Sequence, residues 1–178
     1  MIDPLIDTVF ALALAALFAS TAVHKFREGP RFEAQLSEYR LLPEGFVAAA
    51  AKALAFVEAV LAVTLVLPAT RDLAAIEAAL LLASYAAAIG INLLRGRDHI
   101  DCGCGDAPTL LSPWLLLRNA VLVGVAVMVA LPESARAFGG LDWMLGAFGL
   151  VALVLLWAVV ELLLANASAL REWSQARD

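Results

Sequence analysis

Charge is what this chain has little of. Only 16% of its 178 residues are Asp, Glu, Lys or Arg, where a soluble domain of similar size carries about a quarter. Twelve Lys and Arg face seventeen Asp and Glu, a net charge of −5, and no basic arm or stripe is present. That balance argues against nucleic acid as a partner. Cysteine is scarce too: there are two, too few for the disulfide framework of a small secreted domain. They allow one bond, half of a metal site, or two inert thiols. The first four residues, Met1-Ile2-Asp3-Pro4, contain no cation, whereas a secretory signal peptide opens with Lys or Arg. The apolar run that follows is therefore expected to stay as a membrane span.

What is present instead is apolar: 63% of the residues, with a mean hydropathy of +0.88. The excess is gathered into runs long enough to cross a bilayer, about 20 residues each. Five spans are predicted, at about 5–23, 46–67, 73–94, 114–131 and 143–165. The first ends in His24-Lys25-Phe26-Arg27, a cationic collar whose long side chains can snorkel to the headgroups. Residues 29–45 are too polar to span. There Phe32, Leu36, Tyr39 and Leu42 share a helical face, the pattern of a short amphipathic helix in the interface or packed on the bundle, closed by Pro43 and Gly45. Ser112-Pro113 reads as an N-cap followed by proline at the first helical position.

Trp114, Trp143 and Trp173 fall at span ends, as in an aromatic belt. Gly90, Gly124, Gly146 and Gly149 lie within spans, where small residues let helices approach closely. The tail from Asn166 is polar and expected to fray. The predicted architecture is all-α: one multi-pass membrane domain of five helices in a bundle, with no internal repeat.

The chemistry concentrates between Arg95 and Asn119. Cys102-Gly103-Cys104 sets two thiols one residue apart, and a bend at glycine can bring them to disulfide distance. A ring that tight is strained, and strained disulfides are labile and oxidising, which favours a redox pair. A metal reading draws on His99, Asp101, Cys102, Cys104 and Asp106, and two inert thiols remain the third reading. Arg95, Arg97 and Arg118 favour thiolate, whereas Asp101 and Asp106 oppose it. Glu58, near the centre of its span, marks either a functional site or a hydrogen bond to a Tyr or Asn on another helix. Glu161, nearer a helix end, is expected to snorkel. His24, Asn92, Arg118 and Asn119 are expected to line a polar pocket beneath the cysteine loop.

Five spans put the termini on opposite sides. Lys25, Arg27, Arg31, Arg40, Lys52, Arg95, Arg97, Arg118, Arg171 and Arg177 lie on the cysteine-loop side, against Arg71 and Arg136 on the other. The positive-inside rule assigns the loop to the cytoplasm.

HKF closing the first span, YRLLP before the second, FVEAVLAV within it, and INLLRGRDHIDCGCGD leading to LSPWLLLRN occur in this order. Together they resemble the MauE family of methylamine utilisation proteins, itself similar to DoxX-like membrane proteins; the likeness runs from about Leu14 to Val125. It implies a bacterial inner-membrane accessory factor for maturation of the methylamine dehydrogenase small subunit. The implied partner is a membrane-tethered, MauD-like thioredoxin-like protein, and the implied chemistry is thiol–disulfide exchange. The bundle is similar in concept to DsbB and vitamin K epoxide reductase, which would make a quinone a candidate electron acceptor. On this resemblance Cys102 and Cys104 match the family's cysteine pair. His24, Tyr39, Glu58, Asn92, Arg95, Arg118 and Asn119 match positions of supporting role, beside His99 and Asp101 in the loop. A periplasmic partner requires a periplasmic cysteine loop, opposite to the charge rule. The same thiols would also serve a metal or small-solute transporter or chaperone, and a membrane scaffold would need no chemistry from them.

Overall fold

The computed structural model describes residues 2–103, 109–134 and 136–175. Among these there are six helices and no strand: α1 Pro4–Arg27, α2 Gly29–Glu38, α3 Glu44–Thr64, α4 Arg71–Leu94, α5 Pro113–Val129 and α6 Gly140–Gln175. Four are long and apolar enough to cross a membrane: α1, α3, α4 and the Gly140–Ala167 part of α6. At 1.5 Å per residue, the 24-residue α1 and α4 reach about 36 Å. The 17-residue α5 reaches about 26 Å, less than a typical hydrocarbon core of about 30 Å. The fourth predicted span, 114–131, thus corresponds to a shorter apolar helix.

Local signals set the helix ends. Asp3 caps α1, its carboxylate accepting from the Leu5 amide at 2.9 Å, and Pro4 follows at the first helical position. Pro113 opens α5 as expected, and Ser112 occupies the N-cap with extended backbone. Its hydroxyl makes no capping bond. Gly96, at φ +70, ends α4 in the left-handed conformation, with the Gly96 amide bonded to Leu93 O and the Arg97 amide to Asn92 O. This is the Schellman pattern.

The second predicted boundary fails. Helix α2 stops at Glu38, Arg40 takes φ 49, and Glu44 and Gly45 begin α3 rather than close α2. Its buried face is Phe32, Gln35 and the following Tyr39, while Leu42 is exposed. It packs on the bundle instead of floating in the interface. Helix α6 also continues past Asn166 to Gln175, because its last polar residues include no proline or glycine to stop it.

Two apolar clusters hold the bundle. One runs through its middle, with Leu14, Phe18, Leu61, Leu65, Leu82 and Val129 among small alanines of α1, α4 and α5. The other sits under the cysteine loop: Tyr39, Ile89, Ile100, Cys102, Leu111 and Leu115. Large apolar residues such as Phe56, Val63, Leu80, Phe148 and Leu155 remain outward and exposed, as a lipid-facing surface requires. Gly146 and Gly149 do bring α6 onto α1: a β-carbon at Gly146 would lie 3.1 Å from Leu5 Cδ1. Gly124 faces open space and plays no such part.

Candidate functional site

The neck of the cysteine loop is a two-residue antiparallel contact. The Cys102 amide donates to Thr109 O at 2.8 Å and the Leu111 amide to Ile100 O at 3.0 Å. Asp101 ties this neck together. Its Oδ1 accepts from the Gly103 and Thr109 amides, at 3.2 and 3.1 Å, and its Oδ2 accepts from Gln35 Nε2 at 2.7 Å. Asp101 is thus a structural anchor from the loop to α2, with Arg31 3.9 Å away as a second partner.

Cys102 is buried and held from several directions. Tyr39 donates its hydroxyl to Cys102 O at 3.2 Å, and Arg118 Nη2 lies 3.8 Å from Cys102 Sγ. Burial, and secondarily the charge of Asp101, pushes the Tyr39 hydroxyl well above the ordinary tyrosine range, so it remains a donor at physiological pH. Gly103 takes φ +70, and a β-carbon there would meet Gln35 Oε1 at 3.0 Å. Glycine is needed here for both reasons. Cys104 and Asp106, on which the two-thiol and metal readings also rest, lie outside the described residues. Among the described residues, no three His, Cys, Asp or Glu side chains gather as metal ligands would.

Arg118 is the cation of the site. Its side chain is 7% exposed and pairs through Nη1 with Glu161 at 2.6 Å, while its guanidinium lies 5.4 Å from the Trp157 ring. Glu161 was expected to snorkel; it instead turns inward to neutralise a buried arginine. Were Cys102 reduced to the thiol, a cation beside its sulfur would favour the thiolate.

Lys25 overturns a second expectation. Rather than snorkel, it points into the bundle and pairs with Glu58 at 2.5 Å, the two side chains being 4% and 1% exposed. Tyr85 donates to the same Glu58 oxygen at 2.7 Å, and the ammonium lies over Phe32 and Tyr85. The expected tyrosine partner of Glu58 is there; the lysine was missed. Between this cluster and the loop lies a cavity of about 250 Å³, lined by Lys25, Gln35, Tyr39, Tyr85, Cys102 and Gly103 with apolar neighbours.

Of His24, Asn92, Arg118 and Asn119, expected to line a polar pocket beneath the loop, Arg118 lies beside Cys102 Sγ and Asn92 accepts from Arg97. Asn92 and Asn119 are buried but donate to carbonyls four residues back in their own helices, Ala88 O at 3.1 Å and Leu115 O at 2.8 Å. Arg97 braces the loop by bonding Asn92 Oδ1 and Glu38 O. His24 is buried near the end of α1, and Arg95 and His99 are exposed. Gln35, Lys25 and Trp157 are the site residues that sequence reasoning missed. Phe32 and Tyr39 on one face of α2 carried the only signal for Gln35 between them.

Arg118 also borders a second, larger cavity, about 600 Å³, between α1, α5 and α6. The site is thus a buried cysteine between two cavities, one bordered by a lysine–glutamate pair and one by an arginine–glutamate pair. Taken with the apolar helices, it defines a multi-pass helical membrane protein with a buried cysteine set beside an arginine.

The sequence profile of the family described as Methylamine utilisation protein MauE matches residues 4–132. A MauE protein of Methylophilus methylotrophus is 38% identical over 72% of this chain and 69% of its own length. One from Paracoccus denitrificans is 38% identical over 85% and 82% respectively, and one from Methylorubrum extorquens 39% over 86% and 85%. No solved structure matches. The chain belongs to the MauE family of methylamine utilisation proteins.

Proposed function

We propose that this protein is an inner-membrane accessory factor that matures the small subunit of methylamine dehydrogenase by thiol–disulfide exchange. In this reading α5 is a fifth span, tilted or locally thinning the bilayer to fit its length. Cys102 and Cys104 cycle between dithiol and disulfide, and a thioredoxin-like protein docks at their loop. Oxidation of the pair releases two electrons and two protons as one S–S bond forms; exchange with a partner disulfide passes them on.

The observation that carries this reading is how Cys102 is held. Its amide, its carbonyl and its sulfur each have a placed neighbour: Thr109, Tyr39 and Arg118. A cysteine of no consequence needs no buried arginine 3.8 Å from its sulfur. Membership of the methylamine utilisation family supplies the biological setting.

The test is Cys102→Ser and Cys104→Ser in a host growing on methylamine. Loss of small-subunit accumulation in both variants, with the membrane protein still at parental level, is the expected result. Full accumulation with native disulfides in either variant would refute thiol exchange and favour a scaffold.

A further inference from the structure

Resting on the thiol reading above, we infer that the two sulfurs play unequal parts. Cys102 is the leaving and resolving sulfur, Arg118 stabilises its thiolate, and Cys104 is the sulfur that bonds to the partner. The surroundings of Cys102 assign these parts. It is buried, 8% exposed, and disulfide-bonded. Its amide donates to Thr109 O, its carbonyl accepts from Tyr39, and Arg118 Nη2 stands 3.8 Å from its sulfur. The arginine is itself fixed, bonded to Glu161 at 2.6 Å and set against the Trp157 ring. A held cation is therefore in place before the bond to this sulfur breaks.

Disulfide exchange is a displacement in which the attacked sulfur bonds to the incoming thiolate and the other sulfur departs as thiolate. Its rate depends on how well the departing thiolate is stabilised and on access to the attacked sulfur. Both act in the same direction here. A guanidinium beside Cys102 Sγ stabilises the charge that develops there on departure, and burial hinders attack on that same sulfur. The chain has two cysteines, so the attacked one is Cys104. Among the described residues, the other ionisable groups around Cys102 are Asp101 and Tyr39, Glu161 behind the arginine, and Lys25 with Glu58 and Tyr85 across the smaller cavity. Asp101 accepts bonds from the Gly103 and Thr109 amides and from Gln35, and Lys25 and Glu58 neutralise each other. Arg118 is the cation that meets the sulfur.

The reaction balances. A partner thiol gives its proton to water and attacks Cys104 Sγ. The S–S bond to Cys102 breaks, a bond from Cys104 to the partner sulfur forms, and the electron pair leaves on Cys102 as thiolate beside Arg118. The partner's second thiol then attacks its own sulfur in the mixed disulfide and hands its proton to the released Cys104. The partner dithiol has lost two electrons and become a disulfide; the cysteine pair has gained them. In the opposite direction the Cys102 thiolate resolves the mixed disulfide.

The experiment mixes the oxidised full chain, in lipid nanodiscs, with reduced glutathione and caps the freed thiols with N-ethylmaleimide within seconds. Peptide fragmentation then locates each group. Glutathione on Cys104 with maleimide on Cys102 is expected, at least tenfold over the reverse. Equal amounts, or glutathione mainly on Cys102, overturn the assignment while upholding thiol exchange. An intact disulfide with glutathione on neither cysteine overturns the thiol reading and the assignment together. A second measurement isolates Arg118: in a Cys104→Ser background, alkylation of Cys102 by iodoacetamide is followed against pH. Arg118→Gln should move the midpoint up by at least about one pH unit, and Arg118→Lys should restore it. Glu161→Gln, which leaves the guanidinium without its carboxylate, should move it down. Midpoints that do not move overturn the part given to Arg118. Because Arg118→Gln can fail to fold, the product pattern of the parent chain decides independently.

Discussion

The Lys25–Glu58 pair gives the sharpest energetic prediction. Both side chains are almost fully buried and the contact is 2.5 Å. Removing one partner of a buried pair strands the other charge and costs about 3–5 kcal/mol, or roughly 10²–10⁴-fold in the folding equilibrium at 1.4 kcal/mol per decade. Lys25→Met and Glu58→Gln should each destabilise by that amount. Lys25→Met also gives up the ammonium's contacts with the Phe32 and Tyr85 rings, about 0.5–2 kcal/mol. Replacing the pair together with its hydrogen-bond donor, as Lys25→Met, Glu58→Leu and Tyr85→Phe, leaves no stranded charge and no orphaned hydroxyl. That triple variant should return to within about 1–2 kcal/mol of the parent, since well-packed apolar substitutes for buried ion pairs are often neutral. The assay is reversible unfolding in mixed micelles of increasing SDS fraction, followed by tryptophan fluorescence. Single variants within 1 kcal/mol of the parent would show that Lys25 reaches the headgroups after all. A triple variant as unstable as the singles would show that the cluster contributes by packing rather than by charge.

Other outcomes follow from the loop and the helix contacts. Gly103→Ala should destabilise the loop by about 1–2 kcal/mol, the strain of φ +70 for a residue with a β-carbon, and thermal unfolding will register it; an unchanged midpoint would mean that the loop adjusts freely. Tyr39→Phe removes the bond to Cys102 O and should cost about 1 kcal/mol. Because burial raises the Tyr39 hydroxyl in the folded state, its stabilisation is complete below pH of about 10, the unfolded tyrosine value, and is lost as pH rises beyond it. A stability profile of the phenylalanine variant that falls as steeply as the parent's at alkaline pH would refute this. Gly146→Leu should separate α6 from α1 and lower the melting temperature by several degrees, while Gly124→Ala, facing open space, should leave it unchanged or raise it. For sidedness, Lys25 and Arg118 drop out of the surface charge count as buried, and so does Arg71, paired with Asp7 at 2.8 Å. The excess on the loop side survives this correction. His99→Cys in a cysteine-free background should nevertheless be labelled by an impermeant maleimide in intact spheroplasts if a periplasmic partner docks at the loop, the remaining arginines then serving the site; protection would follow the charge rule and contradict the proposed docking.

Hydropathy made the bundle legible, because a run of about 20 apolar residues has few fates other than a buried or membrane-spanning helix. The cysteine loop was legible from its cysteines and glycine, and the bend expected at Gly103 is there, at φ +70. Helix rotation was not. Lys25 lies in the last turn of α1, where composition alone assigns a cation to the headgroups; only the packing of α1 on α3 shows that this position points at Glu58. The same holds for Arg118 and Glu161, 43 residues apart in sequence and paired across α5 and α6. Asn92 and Asn119 show the opposite case: each donates to a carbonyl of its own helix, an option always open to a short polar side chain, and Asn92 reaches beyond it only by accepting from Arg97.

The most direct test of thiol exchange is the redox state of the cysteine pair in living cells. Cells growing on methylamine are quenched in acid, and their free thiols are tagged with a polyethylene-glycol maleimide. The protein should run as a mixture of oxidised and reduced forms, shifting toward one form when the thioredoxin-like partner is deleted. Two free thiols at every time point, with and without the partner, would contradict thiol–disulfide exchange.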